Sequence, residues 1–198
     1  MAEPGVDEGQ RERWNRRHAE APDTGAPAEV LLRNAHLLPA RGAALDLACG
    51  RGANALWLAG HTALTVEAWD FSPVAIARLE QTAAVRGLRV RAAVRDVVAQ
   101  PPAPESCDVL VVTHFLERTL MPALCAAVRP GGLVLYQTFT REAVSMRGPA
   151  TPEWRLAPNE LLGWFAGFVV RAYREEGSLG DTARGLRDVA CLVAQKMD

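Results

Sequence analysis

The chain has 198 residues, 49% of them hydrophobic and 23% charged, with a formal net charge of -1. That length buries enough surface for one sizeable core, so a single domain needing no metal or cross-link is expected. The balanced charge provides no field to attract nucleic acid or anionic lipid, and no run of about 18 apolar residues provides a membrane span.

Arginine supplies 21 of the 22 basic residues, leaving Lys196 as the single lysine, too near the end of the chain to be buried and activated for Schiff-base chemistry. Cys49, Cys107, Cys125 and Cys191 stand singly in apolar settings, without C-x-x-C spacing, and are expected in the core. No metal site is expected. The N-terminus lacks an apolar signal region, so a cytoplasmic protein is expected.

Short apolar runs alternate with segments of helical period, the pattern of a parallel sheet with crossover helices. Residues 1–26 read as an N-terminal segment, partly mobile and a possible lid, ahead of one domain over 27–198. A helix is expected over 27–38, a strand over 43–48, a helix over 52–59 and a strand over 64–69. Ser72-Pro73 then opens a helix with Ile76, Leu79 and Ala83 on one face, ending near Gly87. Strands follow at 88–94, 107–113 and 133–139, with a helix near 119–127 and Arg129-Pro130-Gly131-Gly132 read as the turn into the last of them. After a connection over 140–158 and a short helix at 159–166, two apolar runs, FVVRAY and DVACLVAQK, have no helix between them and must pair antiparallel.

Gly50-Arg51-Gly52 falls at the turn from the first strand into the next helix. Glycines there let the chain turn sharply and let a ligand approach bare N–H groups at a helix start, at the sheet edge where ligands of open α/β sheets bind. Asp70, twenty residues after Gly50 at the end of the second strand, is placed to take the hydroxyls of a ribose. Asp96 ends the third strand, where it can receive an adenine amine, with Phe71 offering an apolar face. Asp46 sits inside the first strand, where a carboxylate is costly unless something pairs with it. Two cofactors satisfy this pattern, a nicotinamide dinucleotide and S-adenosylmethionine. The stretch Gly50 to Ala55 does match G-x-G-x-x-A, but only about 60 residues follow the fifth strand, too few for a second nucleotide-binding half and a substrate domain.

LDLACGRG, WDFSP, Arg95-Asp96, CDVLVV and VRPGGLVLY, in this order and spacing over residues 44–136, resemble the five motifs of the class I S-adenosylmethionine-dependent methyltransferases. The resemblance implies a Rossmann-like α/β fold: a seven-stranded, mostly parallel sheet with helices on both faces and an antiparallel C-terminal strand. It implies S-adenosyl-L-methionine as cofactor, with Asp46, Cys49, Gly50, Arg51, Gly52 and Asn54 around its methionine end. Asp70, Phe71 and Ser72 would lie at the ribose, Asp96 and Val97 at the adenine, and Thr113 and His114 between donor and acceptor.

WNRRH from Trp14, VEAWD, SPVAIA, Asn54 and CLVAQK are similar to segments of the tellurite-resistance methyltransferases and their small bacterial relatives. That narrower likeness implies a small-molecule acceptor, a chalcogen oxyanion or other soft nucleophile, bordered by Trp14, Arg17, Arg118, Trp154 and Arg184, with His114 as base or positioning group. The chain departs from those relatives at Ala53, where arginine is frequent, and in GSLGDTARG, which lacks an adjacent His-Arg. His18, His36 and His61 receive no role. A monomer or homodimer is expected, without nucleic-acid or membrane partners. Two other readings remain open: an NAD(P)-dependent oxidoreductase, and a non-catalytic S-adenosylmethionine-binding subunit.

Overall fold

The structure, a computed structural model, describes residues 8–197. It contains helices α1 (Glu8–Glu20), α2 (Glu29–Asn34), α3 (Ala53–His61), α4 (Pro73–Val85), α5 (Met121–Ala127) and α6 (Glu160–Trp164). The strands are β1 (Gly42–Leu47), β2 (Leu64–Asp70), β3 (Val90–Val94), β4 (Cys107–Thr113), β5 (Val128–Phe139), β6 (Phe168–Glu175) and β7 (Val189–Lys196).

These form one sheet in the order β3-β2-β1-β4-β5-β7-β6. All neighbours through β5 pair parallel, whereas β7 runs antiparallel to both β5 and β6. A dinucleotide-binding sheet of order 3-2-1-4-5-6 has no such reversed strand wedged before its last one. The winding turns back between β1 and β4, so the carboxyl ends of those strands flank the crevice where a ligand belongs.

Alternation along the central strands sorts their side chains onto two faces. Ala44, Val109, Val111, Leu135 and Val193 pack with Leu31, Leu56, Leu58 and Leu79 of α2, α3 and α4. Leu45, Leu47, Leu110, Val112, Tyr136 and Leu192 pack with Leu124, Leu161 and Phe165 on the other face. Ser72 caps α4 as expected, its hydroxyl oxygen accepting from Ala75 N at 3.2 Å with Pro73 next in the chain. Cys107 and Cys191 are buried, Cys49 and Cys125 half-buried, and all four are free thiols.

Two expectations need correction. Arg129 to Gly132 is not a turn ahead of β5 but part of it. The register jumps from Cys107 opposite Val128 to Val109 opposite Leu133, and Gly131 at φ 74° lets the strand bulge. Residues 8–20 form a helix that apolar periodicity did not announce, because α1 has no buried residue and is polar nearly all round. The expectation of a mobile start otherwise falls on residues 1–7, outside the described residues.

Among the described residues no helix is long and apolar enough to cross a membrane, and no group of three or more His, Cys, Asp or Glu side chains is placed to hold a metal ion.

Candidate functional site

The turn between β1 and α3 is built from left-handed backbone: Ala48 at φ 54°, Gly50 at φ 55° and Gly52 at φ 77°. Glycine takes such angles freely, and at Gly52 nothing else fits, since a Cβ there would come within 2.3 Å of Leu79. Gly52 is the N-cap of α3 and supplies no side-chain cap.

Side chains from neighbouring strands satisfy the amides instead. Gly50 N–H donates to Asp70 Oδ2 at 2.8 Å and Ser72 N–H to Asp70 Oδ1 at 2.9 Å, so one carboxylate holds the glycine turn and the start of α4 together. Burial raises the pKa of Asp70, opposed by the N–H groups of Ser72, Gly50 and Phe71. Asp46 is fully buried and accepts from Ala55 N–H at 3.1 Å and, at 3.5 Å, from the side-chain amide of Asn54. Burial pushes its pKa up to about 7. A carboxylate so desolvated, met only by neutral amides, is suited to a cationic partner such as an α-ammonium group.

Asn54 is buried and uses both ends of its amide. Its NH2 donates to Thr113 Oγ1 at 2.9 Å as well as to Asp46, and its carbonyl accepts from Ala28 N–H at 2.9 Å. Asp46, Gly50, Gly52, Asn54, Asp70, Ser72 and Thr113 are thus gathered at the carboxyl edge of β1, β2 and β4. Cys49 lies among them, and burial, then Asp46 and Asp70, push its thiol far above the usual range, which disfavours the thiolate. Half-buried Phe71 and buried Val97 flank the edge at β2 and beyond β3. Asp96 accepts from Val98 N–H at 3.0 Å, and beside it Arg95 lies 3.9 Å over the ring of Trp69.

His114 follows β4 in left-handed conformation, φ 55°, with its N–H on Gln137 O at 2.8 Å and its ring 5.1 Å from that of Phe139. Its side chain is exposed, yet the protein packed around the ring, then Arg147 and Arg17, lower its pKa. Arg118 is engaged at the floor of the next loop: it pairs with Glu160 at 2.7 Å, donates to Arg155 O at 3.0 Å and also reaches Glu153 O. It therefore fixes the turn at Pro152–Trp154, on which Trp154 is 53% exposed. Buried Arg155 donates to Thr140 O and Pro149 O and ties the 140–158 connection down. Arg184 is exposed in the loop between β6 and β7. Asp188 links that loop to the 140–158 connection by accepting from Val144 N–H at 2.7 Å and Ser145 N–H at 3.1 Å.

The remaining sequence candidates, Trp14 and Arg17, lie on α1, with Arg17 stacked 5.0 Å over the Trp14 ring. Helix α1 rests on α4: Arg78 donates to Ala21 O at 2.7 Å and to the carbonyls of His18 and Ala19, and Asn15 meets Ser72 Oγ. His18, given no role from sequence, contacts the glycine turn: its Cε1 lies 3.4 Å from where a Cβ on Gly50 would stand. Neither His18 nor Arg78 carries a motif; only the fold of α1 brings them to the site.

The family model described as a methyltransferase domain matches residues 44–132, the stretch containing every one of these glycine-turn and strand-end residues. Residues 44–132 thus match a methyltransferase domain. The fold of the chain is shared with TehB from Haemophilus influenzae at 23% identity and a TM-score of 0.70, covering 93% of this chain and 67% of that one. A structure from work on the conversion of a disulfide bond into a thioacetal group during echinomycin biosynthesis is 26% identical over 94% of this chain and 93% of that one, also with a TM-score of 0.70. An S-adenosylmethionine-dependent methyltransferase from Mesorhizobium loti is 19% identical with a TM-score of 0.66, covering 85% and 98%. No curated protein matches the sequence. With β7 reversed between β5 and β6, the dinucleotide-dependent oxidoreductase reading falls.

Proposed function

We propose that this methyltransferase acts on a small molecule through a soft nucleophilic atom, a sulfur, selenium or tellurium lone pair, by direct in-line transfer. S-adenosylmethionine supplies a sulfonium-bound methyl group. Asp70 takes the ribose hydroxyls, Asp46 the amino-acid end, and Asp96 with Val97 the adenine. The N-terminal segment through residue 26, carrying α1, closes over the donor as a lid that excludes water.

One observation carries the choice of acceptor. The imidazole at the expected acceptor side, His114, has a lowered pKa, and the buried carboxylates Asp46 and Asp70 are held by backbone amides. With its lowered pKa His114 is a weak general base, and the two carboxylates, though burial raises their pKa, are already engaged on the donor side, whereas alignment of reacting groups alone contributes roughly 7 to 11 kcal/mol to well-oriented bimolecular reactions. Soft lone pairs need alignment and no strong base. The sulfur chemistry named for the 26% identical structure points the same way.

Incubation with methyl-labelled S-adenosylmethionine and a panel of selenite, tellurite, aromatic and aliphatic thiols, phenols and amines tests the proposal. Labelled product from the chalcogen members and none from phenols or amines is expected. Transfer confined to oxygen or nitrogen acceptors would contradict it, and tight donor binding without turnover on any member would favour the non-catalytic reading.

A further inference from the structure

Phe139, the last residue of β5, is held on three sides. Its ring lies 5.1 Å from the imidazole of His114, the two planes tilted by 34°. Gly148 closes a second side: a Cβ there would stand 2.5 Å from Phe139 Cγ and 2.6 and 2.8 Å from Cδ1 and Cδ2, so bare backbone at φ 87° rests over the ring. Arg155 is on the third, its guanidinium carbon 5.8 Å from the ring centroid.

Arg155 also fixes the approach of Gly148. It is buried, and it donates to Pro149 O at 2.6 Å, to Arg147 O and to Thr140 O at 3.0 Å. The carbonyls on both sides of Gly148, and the one that follows Phe139, are thereby held by a single planar guanidinium, whose rigid fork makes such a grip directional. Leu156 N–H on Phe139 O at 2.8 Å and Thr140 N–H on Asp188 O at 2.9 Å fasten the same strand end to the 140–158 connection and to the residue preceding β7.

With the backbone so fixed, volume added at Gly148 displaces the ring of Phe139, and packed side chains pass such a displacement to the neighbours they touch. His114 is a neighbour that can yield. Its main chain is set by Gln137, but among the described residues no hydrogen bond holds its ring, so the contact with Phe139 is what orients it.

We propose that Phe139, clamped between Gly148 and Arg155, is a positioning residue that aims the imidazole of His114 at the acceptor, and that the missing side chain at Gly148 sets how bulky an acceptor that side admits. This rests on the reading above that methyl transfer to a soft acceptor takes place beside His114. Arg155 serves the acceptor through Phe139 and not by its charge, which is turned on main-chain carbonyls.

NMR of the whole unliganded protein gives the first readout. The chain has four histidines, and His114→Gln identifies the resonance that belongs to His114. Gly148→Ala, whose new methyl meets Phe139 and not His114, is expected to move that resonance and leave the other three in place. Should Gly148→Ala not fold, Arg155→Lys, which opens the fork and keeps the charge, carries the same readout. The second is kinetic, with thiophenol as acceptor. Phe139→Leu is expected to raise KM about fivefold or more, to lower kcat by less than it raises KM, and to leave S-adenosylhomocysteine binding within about twofold. In the His114→Gln background the same change is expected to alter KM by less than about twofold, because a residue that acts through His114 has nothing left to act on. A His114 resonance that stays in place in both clamp variants, or KM effects of Phe139→Leu and His114→Gln that add in full, would overturn the assignment. Failure of the methyl-transfer reading has a different signature: wild type transfers no methyl group to any thiol, and the resonance of His114 in the clamp variants then decides alone.

Discussion

The side-chain amide of Asn54 donates to the hydroxyl of Thr113 across 2.9 Å, joining the start of α3 to the end of β4 over the crevice where the sheet reverses. The same amide reaches back to Asp46 and accepts from Ala28 N–H, so one buried side chain connects the entry to α2 with the donor edge. Helix α2 has no side-chain cap of its own; Asn54 and Gln137, the latter accepting from Val30 N–H at 2.9 Å, stand in for one.

Replacing Asn54 by Ala strands the Ala28 N–H and removes the side-chain donor that Asp46 has among the described residues. Buried unsatisfied groups of this kind cost about 1 to 3 kcal/mol each, and a loss of about 2 to 4 kcal/mol in urea unfolding is expected together with weaker S-adenosylhomocysteine binding. Gln137→Leu, which removes the other cap without touching Asp46, lowers stability but not donor affinity.

The buried carboxyl of Asp46 makes stability pH-dependent. Its folded pKa, about 7, lies above the ordinary value of 3.8. Its contribution to stability is therefore complete below the unfolded pKa and is lost as pH rises through about 7. Unliganded protein should unfold at lower urea at pH 8 than at pH 5, by up to about 3 kcal/mol. Asp46→Asn should flatten that dependence, while S-adenosylhomocysteine, bringing an ammonium group to the ionised carboxylate, should restore stability at pH 8.

Gly50 and Gly52 differ in what they tolerate. Alanine at 52 meets both a left-handed backbone and Leu79, which is fully buried and cannot withdraw; a loss of about 2 to 4 kcal/mol is expected. At 50 the backbone strain remains but the nearest atom is His18 Cε1 at 3.4 Å, and about 1 kcal/mol is expected. Melting temperatures of the two variants rank them.

Because burial, Arg147 and Arg17 hold the pKa of His114 below 6.5, its ring stays neutral through the physiological range. Turnover of a soft acceptor should be flat above pH 6.5, and His114→Gln should retain kcat to within about tenfold, since general-base catalysis contributes roughly 100-fold or more where it operates. A 1000-fold loss of kcat in His114→Gln, with an acid limb in the wild-type pH profile that the variant lacks, would assign His114 as an essential base.

The glycine turn, Asp46, Asp70 and the alternation of strands with helices were legible because they follow from period, turn chemistry and spacing, each a local property, whereas the seven-stranded sheet was legible only through the family resemblance. The antiparallel β7 was legible from the missing crossover between FVVRAY and DVACLVAQK. What escaped depends on distant packing. Helix α1 hides because its Trp14, Asn15 and His18 are only half-buried in a segment otherwise charged. Arg118 looks like a substrate arginine until Glu160, forty-two residues away, is seen to hold it. The bulge in β5 hides behind Pro130-Gly131-Gly132, a stretch whose chemistry is that of a turn and whose neighbours make it a strand.

The account depends on the donor nucleoside lying across the carboxyl ends of β1 and β2, and a crystal structure with S-adenosylhomocysteine tests it most directly. Both ribose hydroxyls within hydrogen-bonding reach of Asp70, and the amino-acid end over Gly50 to Gly52 beside Asp46, are expected. Density for the nucleoside elsewhere, with Asp70 still engaged only by Gly50 and Ser72, would contradict it.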